Sequence, residues 1–174
     1  MLKATLFVDE AYLKNEIFNE HNANLNRDNC LSAYRMLKKK LLDENINLST
    51  QDINPPELSV FTIYNDVPIT IPERHNPDKS VLLLFESEVV KPHNWSTKTH
   101  SLFKYILTWN DHYVDNMKYF KFNFPQANLT PPVREIPFAA RKTCVLVAAN
   151  KYSNHKNELY SERIKAIRWF VKNE

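Results

Sequence analysis

Apolar residues gather in short continuous runs separated by polar breaks. Lys3–Asp9 (KATLFVD), Leu58–Tyr64 (LSVFTIY), Ser80–Phe85 (SVLLLF) and Lys142–Ala149 (KTCVLVAA) each have the length of a strand buried on both faces. Ile46–Gln51 predicts a further strand, stopped by Asn54-Pro55-Pro56. Leu102–Trp109 (LFKYILTW) fits helix or strand, and Tyr119–Phe124 is aromatic with interleaved lysine and asparagine. Two stretches carry a helical period instead. Leu31, Tyr34, Leu37 and Leu41 predict an amphipathic helix at about 30–42, with Asp28 or Asn29 as its N-cap. Tyr160, Ile164, Ile167 and Val171 fall at i, i+4, i+7 and i+11 and predict a helix over 157–173, with Phe170 widening the stripe and Trp169 beside it reading as core. Residues 9–29 are polar and read as a short helical turn around Tyr12–Phe18 followed by a loop, and 127–137 reads as loop.

Apolar strands alternating with amphipathic helices predict a Rossmann-like α/β domain over 1–174. Its mostly parallel sheet is expected to include 3–9, 58–64, 81–85 and 143–149, flanked by helices at 30–42 and 157–172.

Composition narrows the chemistry. The 174 residues are 43% hydrophobic and 25% charged, enough for a packed core, but the chain contains no glycine at all. That excludes the G-x-G-x-x-G dinucleotide turn, the glycine-rich phosphate loop and the G-x-S-x-G nucleophile elbow. Turns must rest on the 10 prolines and on asparagine, which tolerates the left-handed region. A net charge of +3, with Lys38-Lys39-Lys40 reading as a solvated helix face, gives no case for nucleic acid. Cys30 and Cys144 lie outside any C-x-x-C spacing, and Cys144 reads as a buried small hydrophobe. No apolar stretch approaches the ~18 residues of a membrane span, and the chain reads as cytoplasmic. The six histidines form no metal-ligating spacing. The sequons at Asn47, Asn94 and Asn128 read as chance matches in an asparagine-rich chain.

In open α/β sheets, ligands bind beyond the carboxyl ends of the strands. Two such ends are rich in polar groups: Glu86-Ser87-Glu88 after SVLLLF, and Asn150–Lys156 after TCVLVAA, leading toward Arg163. A carboxylate at one end and a basic cluster at another suit proton abstraction beside an anion site. Trp95 and Trp109 could stack on a sugar or fill the core.

Three segments resemble family 10 glycosyltransferases, the α-1,3/4-fucosyltransferases, especially the bacterial branch. They are Val81–Ser87 (VLLLFES), Phe103–Asp111 (FKYILTWND), and Lys142–Lys151 (KTCVLVAANK) with Glu158–Ile167 (ELYSERIKAI). The resemblance covers about residues 55–174 and is strongest over 140–170. It implies the N-terminal, acceptor-side domain of a glycosyltransferase-B type fold, with the nucleotide-sugar held by a C-terminal domain expected to lie outside this chain. It implies inverting transfer of a sugar, fucose from GDP-fucose, to a glycan acceptor, with no resident cofactor or metal. Glu86 matches the family's general base; Arg163, Asn150 and Lys151 match residues facing the donor phosphates; Glu88 is a departure from the family's usual small residue or proline. A surface made for a second domain would leave an apolar patch near Trp169 and Phe170, open to self-association or to peripheral contact with a membrane. The alternative is a non-catalytic, stand-alone α/β domain with a binding or structural role.

Overall fold

The computed structural model describes residues 1–125, 136–142 and 144–173. The chain divides into two compact units, Met1–Asn128 and Leu129–Glu174.

The first unit is built on six strands: β1 (Leu2–Phe7), β2 (Ile46–Thr50), β3 (Thr62–Asn65), β4 (Ser80–Leu84), β5 (Tyr105–Thr108) and β6 (Tyr119–Lys121). They form one sheet in the order β2-β1-β3-β4-β5-β6, and every neighbouring pair is parallel. This is an α/β, Rossmann-like sheet. The ambiguous run at 102–109 resolves as strand β5, because β4 offers it a register from Val81↔Tyr105 to Leu84↔Thr108.

Side chains alternate across the sheet. Ala4, Leu6, Leu48, Ile63 and Leu83 share one face with the first core cluster. Tyr64, Leu82, Leu84 and Ile106 share the other with Phe103. Helix α1 (Ser32–Asp43) belongs to the β1–β2 crossover and lays Tyr34, Leu37 and Leu41 on the first face. The later connections, including the single-turn helix α2 (Thr97–His100), bring Ile71, Trp95, Leu102 and Phe103 to the second face. Crossover handedness explains the division. β1 to β2 runs one way along the sheet and every later step runs the other way, so right-handed crossovers must lie on opposite faces.

Asparagine and aspartate do the work expected of them in a chain without glycine. The described residues with positive φ are Lys14, Asn15, Asp28, Asn29, Asn45, Asp66 and Asn116. Asn45, at φ 62°, turns the chain out of α1 with its N–H on the Leu42 carbonyl at 2.9 Å, the place glycine usually takes. The start of α1 differs from the expectation. Asp28 and Asn29 sit at φ 53° and 57° and cannot cap; the Asn26 side chain accepts the Leu31 N–H at 3.1 Å instead. Lys39 and Lys40 are solvated, whereas half-buried Lys38 reaches the Leu48 carbonyl and lies 4.6 Å from the Phe18 ring centroid.

In the second unit, α3 (Tyr160–Asn173) forms as its periodicity predicts. The strand expected at 143–149 does not: 144–149 carry neither helix nor strand, and Thr143 lies outside the described residues. Cys144 is exposed rather than buried, and Trp169 is 60% exposed rather than core. Among the described residues, 144–149 pair with no strand, so this apolar run has no ladder hydrogen bonds to hold it extended. The loop expected over 127–137 lies mostly outside the described residues.

Candidate functional site

The turn after β4 is held by its backbone. Asp66 follows β3, is 4% exposed, and sits at φ 65°. Its Oδ1 accepts the Phe85 N–H at 2.7 Å, the Glu86 N–H at 3.1 Å and the Asn94 side-chain amide at 2.8 Å. The two carbonyls of the same dipeptide are taken by indoles: Trp109 Nε1 donates to Phe85 O at 3.1 Å and Trp95 Nε1 to Glu86 O at 3.0 Å. The two rings meet edge to face at 5.3 Å. All four backbone polar groups of Phe85-Glu86 are therefore satisfied by side chains, two of them by a carboxylate whose bonds are the stronger kind. The arrangement fixes the main chain while leaving Glu86 exposed. The tryptophans act here as backbone clamps.

Beside this turn lies a cavity of about 620 Å³. Its floor is the first face of β3, β4 and β5, with Ile63, Val81, Leu83 and Leu107; Phe85, Phe122 and Phe124 form a wall, and α1 closes it with Ala33, Tyr34 and Leu37. Phe85 packs edge to face on Phe122 at 5.4 Å and on Phe124 at 5.1 Å. The polar lining, Asp9, Asn65, Asp66, Glu86 and Lys91, comes from the carboxyl ends of β1, β3 and β4. β1 and β3 are the strands between which the order reverses, the usual ligand position in such sheets. Lys91 Nζ lies 3.4 Å from Asp9 and 3.8 Å from Asp66, offsetting part of the acidic charge. Tyr34 donates its hydroxyl proton to Asn65 Oδ1 at 2.7 Å. Burial first, and then the charge of Asp66, push that phenol well above its ordinary range, so it stays a donor.

Below the turn, on the second face, buried His100 holds Asn94 in place. Its Nε2 is 2.6 Å from Asn94 O and its Nδ1 3.1 Å from the Tyr119 hydroxyl. Burial lowers its pKa from the ordinary histidine value. Asn94 is fully buried, which closes that sequon to modification.

Of the residues singled out in the sequence, Glu86 lines the cavity. Asn150, Lys151 and Arg163 belong to the second unit and are exposed, with the Arg163 guanidinium 5.5 Å from the Tyr160 ring centroid one turn back. Glu88 is also exposed. Asp66 and Asn94 were not among the candidates. The sequence signal for Asp66 is a polar pair, Asn65-Asp66, closing the apolar run at 58–64; Asn94 stands out only as a sequon.

Among the described residues no cluster of histidine, cysteine and carboxylate could hold a metal ion, and no helix is long and apolar enough to cross a membrane. Comparison with protein-family models, curated proteins and solved structures finds no match to this chain.

Proposed function

We propose that this chain is a fucosyltransferase-like glycosyltransferase element whose sheet unit receives the glycan acceptor, with Glu86 as general base. The observation that carries the reading is an exposed carboxylate on a clamped turn after β4, at the edge of a ligand-sized cavity that lies at the carboxyl ends of the strands. In the reaction, Glu86 takes the proton from an acceptor hydroxyl as that oxygen attacks the anomeric carbon of GDP-fucose. The bond to the nucleoside diphosphate breaks with its electron pair leaving on the phosphate oxygen, and the configuration inverts. Rigid backbone anchoring favours this role, because a base must be held within hydrogen-bond reach of the proton it abstracts. Arg163 would meet the donor phosphates, for which its planar guanidinium is suited, with Asn150 and Lys151 beside them.

The second reading, a binding domain without catalysis, is favoured by one observation: among the described residues the cavity lining holds no arginine and only Lys91 as a cation, already engaged with Asp9 and Asp66. Sugar transfer from labelled GDP-fucose, measured with a donor-binding half supplied in trans, separates the two. Glu86→Gln is expected to cut turnover by about 10²–10⁴-fold with donor affinity unchanged. Arg163→Ala is expected to weaken donor binding by roughly tenfold or more. Near-normal turnover in Glu86→Gln removes it as the base, and unchanged donor affinity in Arg163→Ala removes the arginine from the phosphate site.

A further inference from the structure

Within the sheet unit, the crossover rule that places α1 on one face and the later connections on the other leaves the first face of β4 and β5 without a helix of that unit among its described residues. The cavity over Val81, Leu83 and Leu107 is the consequence. A glycan alone would not need such a floor. We propose that the cavity binds an amphipathic ligand, with an uncharged, hydroxylated head at Glu86 and an apolar body lying across the sheet toward α1.

Size, chemistry and charge point to this class. At about 620 Å³ the cavity falls within the range of small-molecule sites. Its chemistry is segregated: aliphatic and aromatic side chains form the floor and wall, and the carboxylates of Asp9, Asp66 and Glu86 lie at the strand ends. From Ile63 on β3 to Leu107 on β5 is two strand spacings, roughly 10 Å, about the reach of an eight-carbon chain. Three carboxylates face one ammonium group, Lys91, so a phosphate or carboxylate head is repelled. Hydroxyl groups suffer no such penalty, since they donate to carboxylates. In the transfer proposed above the ligand would be the acceptor, a glycoside with an apolar aglycone; that identification rests on Glu86 being the base, whereas the binding does not.

The test is a titration of the whole chain with octyl β-D-glucopyranoside below its micelle concentration, followed by backbone amide shifts, with glucose and octanoate as companion probes. Saturable shifts at Ala33, Leu83, Phe85 and Leu107 are expected, with glucose and octanoate at least tenfold weaker. Ala33→Trp, which fills the cavity from the half-buried face of α1, should weaken the glucoside at least tenfold. Phe124→Asn, at an exposed wall position, should weaken it severalfold and serves if the first variant misfolds. Equal binding of octanoate, shifts confined to Val145 and Trp169, indifference to both variants, or absence of binding would each overturn the proposal. Saturable binding in a chain that transfers no sugar when the donor-binding half is supplied would retire Glu86 as base and keep the site; transfer to small polar acceptors without glucoside shifts would keep the base and retire the site.

Discussion

Two apolar runs of similar sequence meet opposite fates. Leu82, Leu83 and Leu84 are 0%, 8% and 0% exposed, whereas Val145 and Val147 are 82% and 93% exposed. The difference is their neighbours. β4 is paired on both edges, to β3 and to β5, and its two faces meet two core clusters. The run at 144–149 has no paired strand among the described residues. An apolar run becomes a strand only when adjacent backbone satisfies its N–H and C=O groups; hydrophobicity alone does not supply that. The helices repeat the lesson. α1 rests its stripe on the sheet, whereas α3 leaves Trp169, Phe170 and Val171 exposed, the apolar patch expected near 169–170.

The contrast should be visible in unfolding. Leu84→Ala is expected to cost about 2–5 kcal/mol in denaturant unfolding followed by circular dichroism, because it opens a cavity in a closed core. Val147→Ala should stay within about 0.5 kcal/mol. Comparable losses at the two positions would show that the second run is buried in solution.

Asp66→Ala should cost roughly 2–3 kcal/mol by the same measurement, since three donors lose a charged acceptor. Asp111→Ala, at an exposed carboxylate paired to Lys121, should cost no more than about 1 kcal/mol. Equal effects would mean that the clamp on Phe85-Glu86 contributes nothing special.

A smaller effect comes from His100. Burial holds its folded pKa below the unfolded value of about 6.5. Both states are neutral above that value, so the full stability is present there. As pH falls, the unfolded chain binds the proton first and stability declines, by at most about 1.4 kcal/mol per pH unit, until His100 titrates in the folded state. Unfolding at pH 7.5 and 5.5 should show this decline, and His100→Gln should flatten it. An identical slope in the variant would assign the decline to other groups.

The smallest expected change in stability is at Trp169→Ser, within about 0.5 kcal/mol, accompanied by reduced self-association in sedimentation at high concentration. A large loss of stability would show that Trp169 is covered.

β1 to β4 were legible because strands buried on both faces read as continuous apolar runs, and α1 and α3 because their stripes keep the helical period; the run at 102–109 fits helix as well as strand, and the interleaved polar residues of 119–124 hide β6. The strand order was not legible, since pairing partners leave no mark on a single chain. The strand expected at 143–149 fails for the same reason: nothing in KTCVLVAA distinguishes a run with strand neighbours from one without. At the site, Glu86 was legible as the acid closing SVLLLF. Asp66, Asn94, Trp95 and Trp109 reach that turn from four other positions along the chain, and only folding gathers them. The helical turn expected around 12–18 is present as two short turns, Glu10–Tyr12 and Glu16–Phe18, each closed by a local bond, Tyr12 N–H to Asp9 O at 3.0 Å and Phe18 N–H to Asn15 O at 2.9 Å.

Glu86 and Glu88 are both exposed carboxylates two residues apart, but only Glu86 lines the cavity and sits on the clamped dipeptide. The most direct test is sugar transfer by Glu86→Gln and Glu88→Gln, each assayed with the same donor-binding half and the same acceptor. The account predicts a loss of about 10²–10⁴-fold in Glu86→Gln and a change of less than about twofold in Glu88→Gln. Equal rates in the two variants would contradict it.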